Sequence, residues 1–211
     1  MKRAASNRKI AVVNPKGGCG KTTIATSLAA WLAYEADVAL ADLDVQQSSA
    51  EWHSLRLADN PYIELLAARR WPPAVPAHCD YLIIDSPAAI NAREMERLLA
   101  YCDKIIVPLL PSPIDMRSGW RYLDQLFRLR KASRSQCEIG LIANRVKSWT
   151  IIYRELIGFI DQFKAPFVGH LRESVNYIRA MEAGLGVAEL PYYQCRQDWS
   201  EWHPLVDWVK H

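Results

Sequence analysis

The sequence reads IAVVNPKGGCGKTT at residues 10–23, and this stretch decides the fold. Its apolar start predicts a buried strand, its glycines predict a tight turn, and a helix is predicted to begin at Lys21. Gly17, Gly18 and Gly20 leave room for backbone N–H groups to point at phosphate oxygens, and the helix N-terminus adds the positive end of its dipole. The stretch therefore predicts a phosphate-binding loop.

The side chains of this loop predict the ligand as well. Lys21 is placed to reach the β- and γ-phosphates of a nucleotide, and the Thr22 hydroxyl to bind Mg²⁺. A nucleotide with β- and γ-phosphates, bound together with Mg²⁺, is therefore the predicted ligand. The expected nucleotide contacts of the loop are Gly17, Gly18, Cys19, Gly20, Lys21, Thr22 and Thr23.

Apolar runs alternate with helical patterns along the rest of the chain. Strands are predicted at Ile10–Asn14, Val38–Asp42, Ile63–Ala67, Tyr81–Asp85, Lys104–Pro108, Gly140–Asn144 and Phe167–Leu171. Helices are predicted at Lys21–Tyr34, Ala92–Ala100, Met116–Lys131, Ile152–Phe163, Ser174–Ala183 and Asp198–Lys210, and a proline-rich loop at Arg70–Pro76. Most strand runs are continuously apolar, as in sheets covered on both faces. The alternation predicts one α/β domain over residues 1–211, a mainly parallel twisted sheet with helices on both faces.

Composition excludes several classes of protein. Half of the residues are hydrophobic and 23% are charged, which is typical of a soluble globular protein. No apolar run approaches the roughly 20 residues of a membrane span, and the basic N-terminus lacks the apolar segment of a secretory signal. The five cysteines lie far apart and never in CxxC spacing, which favours thiols in a reducing cytoplasm over disulfides or a zinc site. A net charge of +3 is too small to indicate a nucleic-acid partner by itself.

The phosphate loop departs from the general pattern GxxxxGK[ST] in two ways. Pro15 replaces the first glycine, and a second lysine, Lys16, follows it. With Lys21 already at the γ-phosphate, Lys16 is better placed to reach a nucleotide bound by another subunit. The loop resembles the KGGxGK[ST] motif of the deviant Walker A ATPases, which include the ParA partition proteins, MinD and the nitrogenase iron protein. The resemblance implies that Lys16 is the signature lysine of an ATP-sandwiched homodimer.

The resemblance extends to the acidic segments. Residues 42–48, DLDVQQS, resemble the family's DxDPQxS with Val45 in place of proline. Two carboxylates two residues apart in an extended segment point the same way. The resemblance implies that Asp44 positions or activates the attacking water and that Asp42 supports Mg²⁺ through solvent. Residues 81–87, YLIIDSP, resemble the Walker B strand, and Asp85 is then expected to hold Mg²⁺ through water.

A later strand is expected to recognise the base. Residues 140–145, GLIANR, resemble the family strand whose asparagine recognises adenine, here Asn144. An amide can donate to a ring nitrogen and accept from an exocyclic amine. A strand-end turn residue is the simpler alternative for Asn144.

Several functional classes share these motifs. Cys79 and Cys102 lack the glycine-flanked context of an iron protein's cluster ligands, which disfavours electron transfer. The C-terminal segment 198–210 has an apolar side, but its acidic residues and Pro204 favour a helix that covers the core over a MinD-like membrane helix. An ATP-dependent ligase or synthetase remains an alternative, although the chain offers little room for an added substrate domain.

A partition ATPase also binds DNA without sequence preference. The predicted helix Met116–Lys131 presents a basic stripe, interrupted by Asp124, opposite an apolar side of Trp120, Leu123, Leu126 and Phe127. The stripe comprises Arg117, Arg121, Arg128 and Lys131, and the resemblance adds Arg172 and Arg179 as DNA candidates. Such a stripe fits phosphate-backbone contacts, but an ordinary solvated helix face has the same pattern.

These features together predict an ATPase that acts as a positioning switch. ATP is expected to join two subunits, the dimer to bind double-stranded DNA nonspecifically, and an adaptor of the ParB or McdB type to stimulate hydrolysis. The cargo is then a plasmid, a carboxysome or a similar assembly. The protein is expected in the cytoplasm and on the nucleoid when it is bound to ATP.

Overall fold

One parallel sheet organises the part of the chain that the computed structural model describes, residues 7–66, 71–88 and 90–211. Its strands are β1 (Arg8–Val12), β2 (Val38–Asp42), β3 (Ile63–Leu66), β4 (Tyr81–Asp85), β5 (Lys104–Leu109), β6 (Glu138–Val146) and β7 (Phe167–Arg172). They are ordered β3-β2-β4-β1-β5-β6-β7, and each neighbouring pair is parallel. The predicted α/β fold class is therefore confirmed.

Helices cover both faces of this sheet. They are α1 (Lys21–Leu32), α2 (Ser48–Ser54), α3 (Ala92–Tyr101), α4 (Pro113–Ala132), α5 (Ile151–Ile160), α6 (Val175–Glu182) and α7 (Tyr192–Lys210), with a short 3-10 helix at Val187–Glu189. In β1, Ala11 faces the layer of α3, α4 and α5, whereas Ile10 and Val12 face α1, α2 and α7. Both sides of the strand are therefore apolar, and each large side chain buried there contributes about 1.5–3 kcal/mol.

The strand register brings the motifs to one edge of the sheet. Val12 and Asp42 both pair with Asp85, so β1, β2 and β4 end level with one another. Because the strands are parallel, the loops that follow them open on the same edge. Ligands of open α/β sheets bind at such an edge.

Most predicted elements are found with ends displaced by up to three residues, as is usual for element boundaries. Two short elements were missed. Helix α2 has only seven residues, too few for a helical period to show in the sequence, and the 3-10 helix has three. Helix α7 begins at Tyr192 instead of Asp198, because its first turn carries no apolar repeat.

Two predictions reach beyond the described residues. The strand predicted at Ile63–Ala67 is β3, which ends at Leu66, and Ala67 lies outside the described part of the chain. The same holds for Arg70 of the predicted loop, whereas residues 71–76 form neither helix nor strand.

Helix α7 covers the core, as its sequence favoured. Trp202, Leu205 and Val209 are each fully buried, and Pro204 lies within the helix without ending it. Trp31 of α1 stacks on Trp202 with ring centroids 6.3 Å apart. Over the described residues, no helix has the length and apolar character needed to cross a membrane.

Candidate nucleotide-binding site

The loop between β1 and α1 has the backbone geometry of a phosphate cradle. Gly18 and Gly20 have φ angles of 72° and 93°, which side-chain-bearing residues rarely adopt. A Cβ on Gly20 would lie 2.3 Å from Nδ2 of Asn144. The Asn144 amide in turn donates to the Cys19 carbonyl at 2.7 Å. Asn144 of strand β6 thus holds the loop in place, and only glycine fits at position 20.

Lys21 is the first residue of α1 and points into the loop. Its side chain is buried, and Nζ donates to the Lys16 carbonyl at 3.2 Å. A buried ammonium is costly unless an opposite charge compensates it. Asp85 supplies part of that opposite charge. The attraction between the two groups is seen in the pKa of the Asp85 carboxyl group, which the positive charge of Lys21 lowers. A phosphate group bound by the loop would complete the compensation.

Asp85 lies at the end of β4 with no solvent exposure. Burial raises the pKa of its carboxyl group to about 6; the Ser49 hydroxyl, the nearby Thr22 hydroxyl and the charge of Lys21 lower it, and the charge of Asp42 raises it. Oδ2 accepts a hydrogen bond from the Ser49 hydroxyl at 2.7 Å. Oδ1 has no hydrogen-bond partner among the described residues. A carboxylate oxygen without a partner, beside a threonine hydroxyl, fits the oxygen ligands that Mg²⁺ requires.

The two carboxylates of the DxD segment, Asp42 and Asp44, have different hydrogen-bond partners and surroundings. Asp42 accepts from the backbone N–H groups of Asp44 and Ala50, at 2.9 and 3.0 Å, with its two oxygens. It therefore shapes the turn and holds the start of α2. Asp44 lines the cleft beside the phosphate loop, and one of its oxygens accepts from the Gln46 N–H at 2.9 Å. The two carboxylates thus have different partners, and the solvent-mediated metal role of Asp42 stays a prediction.

A cleft of about 1150 Å³ opens above the phosphate loop. Gly17, Lys21 and Thr22 form one wall, Asp44 a second, and residues 171–175 with α6 a third. Asn144 lies on the floor, where its amide already supports the loop. Its role toward adenine stays a prediction. The volume is sufficient for a nucleotide, since small-molecule sites typically occupy roughly 300–1,000 Å³.

Lys16 points away from this cleft. Its ammonium forms an ion pair with Asp115 in the first turn of α4, and its backbone N–H donates to Oδ1 of Asn14 at 2.8 Å. The Lys16 side chain remains 44% exposed. The two lysines of the loop thus point in different directions, Lys21 into the cleft and Lys16 toward the outer surface.

Two residues of the site were not predicted as functional. Arg145 has a φ of 54° at a bulge in β6, lines the cleft and donates to the Gly18 carbonyl at 3.4 Å. Arg145 follows Asn144 in the sequence motif, but nothing in the sequence pattern indicated a function for it. Ser49, which holds Asp85, lies on the short helix α2 that the sequence pattern did not reveal.

The residues predicted to contact DNA lie on α4, on α6 and at the end of β7. We call Arg117, Arg121, Arg128 and Lys131 of α4 the basic face, and all four are exposed. Arg128 forms an ion pair with Asp124, and Trp120 is 46% exposed instead of packing inward. Arg179 is exposed on α6.

Arg172 is placed differently from the other candidates. Its guanidinium donates to both oxygens of the fully buried Asp198, at 2.7 and 3.0 Å, and Asn176 donates to the same carboxylate at 2.7 Å. Arg172 therefore ties β7 to α7. This placement favours a structural role over a DNA contact.

Fold and cleft together define a P-loop nucleotide-binding domain. The family model for the CobQ/CobB/MinD/ParA nucleotide binding domain matches residues 10–187, and the chain belongs to this family.

Known relatives agree with that assignment. The chain is 28% identical over 196 residues to the maintenance of carboxysome distribution protein A of Halothiobacillus neapolitanus, covering 88% of this chain and 90% of that protein. Its fold is similar to that of a Cyanothece McdA variant in complex with ATP, with a TM-score of 0.75, 20% identity and coverage of 98% and 96% of the two chains. It is also similar to a putative plasmid partition protein of Borrelia burgdorferi bound to AMPPNP, with a TM-score of 0.72, 18% identity and coverage of 96% and 99%.

Proposed function

We propose that this protein is an ATP-dependent dimerising ATPase that positions a cargo. The observation that best supports this proposal is that the two lysines of the phosphate loop point in different directions. Lys21 is buried toward the cleft, whereas Lys16 lies outside it on Asp115. A lysine of the phosphate loop that does not face its own cleft is free to serve the nucleotide of a second subunit once it leaves Asp115.

In this proposal each residue of the site has a defined task. Lys21 and the N–H groups of Gly17–Thr22 hold the β- and γ-phosphates. Thr22 and, through water, Asp85 would hold Mg²⁺, which when bound neutralises phosphate charge. Asp44 orients the attacking water at the mouth of the cleft. Ser49 fixes the Asp85 carboxylate by its 2.7 Å hydrogen bond.

The proposed cargo follows from the relatives. Proteins named for carboxysome distribution and for plasmid partition both match this chain. We therefore infer that the cargo is a carboxysome or a comparable assembly, recognised through an adaptor that stimulates hydrolysis. The ATP-bound homodimer binds duplex DNA through the basic face and Arg179, which places it on the nucleoid in the cytoplasm. Dimerisation doubles the number of weak phosphate contacts and so raises the overall affinity.

The membrane-associated alternative has less support. A membrane-surface helix needs an unpaired apolar side, whereas the apolar residues of α7 are buried against α1 and the sheet.

Light scattering with ATP and Mg²⁺ tests the proposal on an Asp44→Ala variant. The variant is expected to retain ATP and to accumulate as a dimer, because Asp44 touches water and not the phosphate cradle. The same sample is expected to bind unrelated duplexes equally, with an affinity that falls steeply as salt rises. A variant that stays monomeric with saturating ATP contradicts the dimerising switch, and rapid turnover contradicts the role of Asp44.

A further inference from the structure

A cluster of three different ligand side chains lies far from the nucleotide cleft. Glu64 is the second residue of β3, and His78 and Cys79 lie three and two residues before the start of β4. These positions lie at the amino ends of parallel strands, opposite the edge where the phosphate loop opens. The cluster is therefore separate from the nucleotide site, and no step of the proposed ATPase reaction uses it.

The ligand atoms of the cluster converge. One carboxylate oxygen of Glu64, one ring nitrogen of His78 and the Sγ atom of Cys79 all lie within 4.8 Å of one another. Nε2 of His78 is 3.2 Å from Oε2 of Glu64. The backbone N–H of Cys79 donates to the Pro76 carbonyl at 3.1 Å, which fixes the turn that carries both loop ligands.

The donor set matches the preferences of zinc. Zn²⁺ binds thiolate sulfur, imidazole nitrogen and carboxylate oxygen at about 2.0–2.3 Å. Neighbouring ligands of a tetrahedral ion then lie about 3.4–3.8 Å apart, so the cluster has to contract by about 1 Å. The side chain of His78 is 61% exposed and that of Glu64 29% exposed, and both can make this movement without disturbing the core.

The local charge also favours a cation. The carboxylates of Glu64, Asp37 and Asp80 lie near the buried Cys79. These carboxylates create the negative potential that attracts a divalent ion. When such an ion binds, the thiol proton leaves to solvent and the thiolate becomes a ligand.

We propose that Glu64, His78 and Cys79 bind one Zn²⁺ ion, with water in the fourth position. The ion would join β3, the edge strand of the sheet, to the turn before β4. Cysteine spacing could not reveal this site, because it uses a single cysteine and its other loop ligand is a histidine.

Titration of the chelator-treated, nucleotide-free full chain with Co²⁺ and then Zn²⁺ tests this proposal. Co²⁺ is expected to bind one-to-one and to give a thiolate-to-cobalt charge-transfer band, and Zn²⁺ is expected to abolish the band by displacement. This spectrum reports on a bound thiolate without altering a buried residue. Absence of a thiolate band in the wild-type chain overturns the site.

Variants then locate the ion. His78→Ala, at an exposed position, is expected to weaken Zn²⁺ binding by at least about tenfold and to remove the rise in Tm that Zn²⁺ gives to the wild-type protein. Cys79→Ser is expected to remove the charge-transfer band. The matched controls are His203→Ala and Cys137→Ser, which are expected to bind as wild type does. Equal Zn²⁺ affinity in His78→Ala and wild type contradicts the proposal, as does loss of the band in Cys137→Ser.

Discussion

The nucleotide edge of the sheet and the basic face of α4 carry similar numbers of charged residues, but these residues are held very differently. At the edge, Lys21 and Asp85 are buried and Asp42 is bonded through both oxygens. On the basic face, Arg117, Arg121 and Lys131 project from the helix surface. Buried charges require fixed partners and so produce motifs of fixed spacing, whereas exposed charges leave only a pattern that any solvated helix can share.

The largest effect is expected for Lys21→Ala. The variant loses the charge-assisted contact at the centre of the phosphate cradle, and calorimetry is expected to show ATP affinity weaker by at least about 100-fold. Arg121→Ala on the basic face is the matched control and is expected to bind ATP as wild type does. Equal loss in the two variants would break the distinction between the edge and the basic face.

Lys16→Ala is expected to separate binding from assembly. Lys21 and the backbone cradle remain, so ATP is still bound, but both subunits of the dimer lose the proposed cross-contact. Dimerisation measured by light scattering, hydrolysis and DNA binding are therefore expected to fall together. Asp115→Asn, which removes only the partner of Lys16, should dimerise at least as well as wild type. Normal dimerisation and turnover in Lys16→Ala would remove this residue from the switch.

Asp85→Asn is expected to stabilise the nucleotide-free protein while abolishing hydrolysis. Because burial raises the folded-state pKa to about 6 from 3.8, the folded state binds more protons than the unfolded state between these values. Stability therefore falls as pH rises from about 4 to 6, by up to about 3 kcal/mol. Thermal unfolding at pH 7 should show a higher Tm for the variant, whose amide oxygen can still accept from Ser49.

The pH profile supplies the control for Asp85. The variant is expected to lose the decline in stability between pH 4 and 6, while Asp124→Asn on α4 retains it. If the variant is no more stable than wild type at pH 7, then burial of the ionised Asp85 carboxylate does not lower the stability of the folded protein.

Charge reversal on the basic face is expected to act only on DNA. Arg121→Glu with Arg128→Glu should weaken duplex binding by about 10- to 100-fold and reduce the salt slope by about 2 or more. Arg93→Glu with Arg97→Glu changes the net charge equally on exposed positions of α3 and is expected to have a smaller effect. Equal losses in the two pairs would mean that net charge alone governs DNA binding.

The smallest effect is expected for Gln47→Gly. Gln47 has a φ of 53° where the chain enters α2, a conformation that costs a non-glycine residue about 1 kcal/mol. Glycine removes this strain but gains entropy in the unfolded state, so the expected gain is about 0.5 kcal/mol or less. Urea unfolding measures it, and a loss of stability would show that the Gln47 side chain makes a compensating contact.

The sequence predicted those features that the backbone dictates locally. The strand, glycine turn and helix around Lys21 require particular residues at consecutive positions, and the structure has them as predicted. Asp85 was predicted because the apolar strand that it ends resembles the Walker B strand and stands at the corresponding place in the chain. The sheet class followed from the same continuously apolar runs.

Features that depend on tertiary partners could not be predicted in this way. Arg172 resembled a DNA contact until its guanidinium was seen on Asp198, which lies 26 positions away. Ser49 gave no signal because its importance comes only from Asp85. Trp120 was expected on the apolar side of α4, opposite the basic stripe, but it is 46% exposed and its ring centroid lies 6.4 Å from that of Phe163.

The bond between Arg172 and Asp198 makes the C-terminal helix part of the frame around the nucleotide. Residues 171–175 form a wall of the cleft, and the carboxylate that holds this wall comes from α7. A fragment ending at Ala183 would carry every phosphate-binding motif and still leave that wall without its anchor. We therefore expect that shortening α7 would lower nucleotide affinity, although α7 contributes no residue to the lining of the cleft.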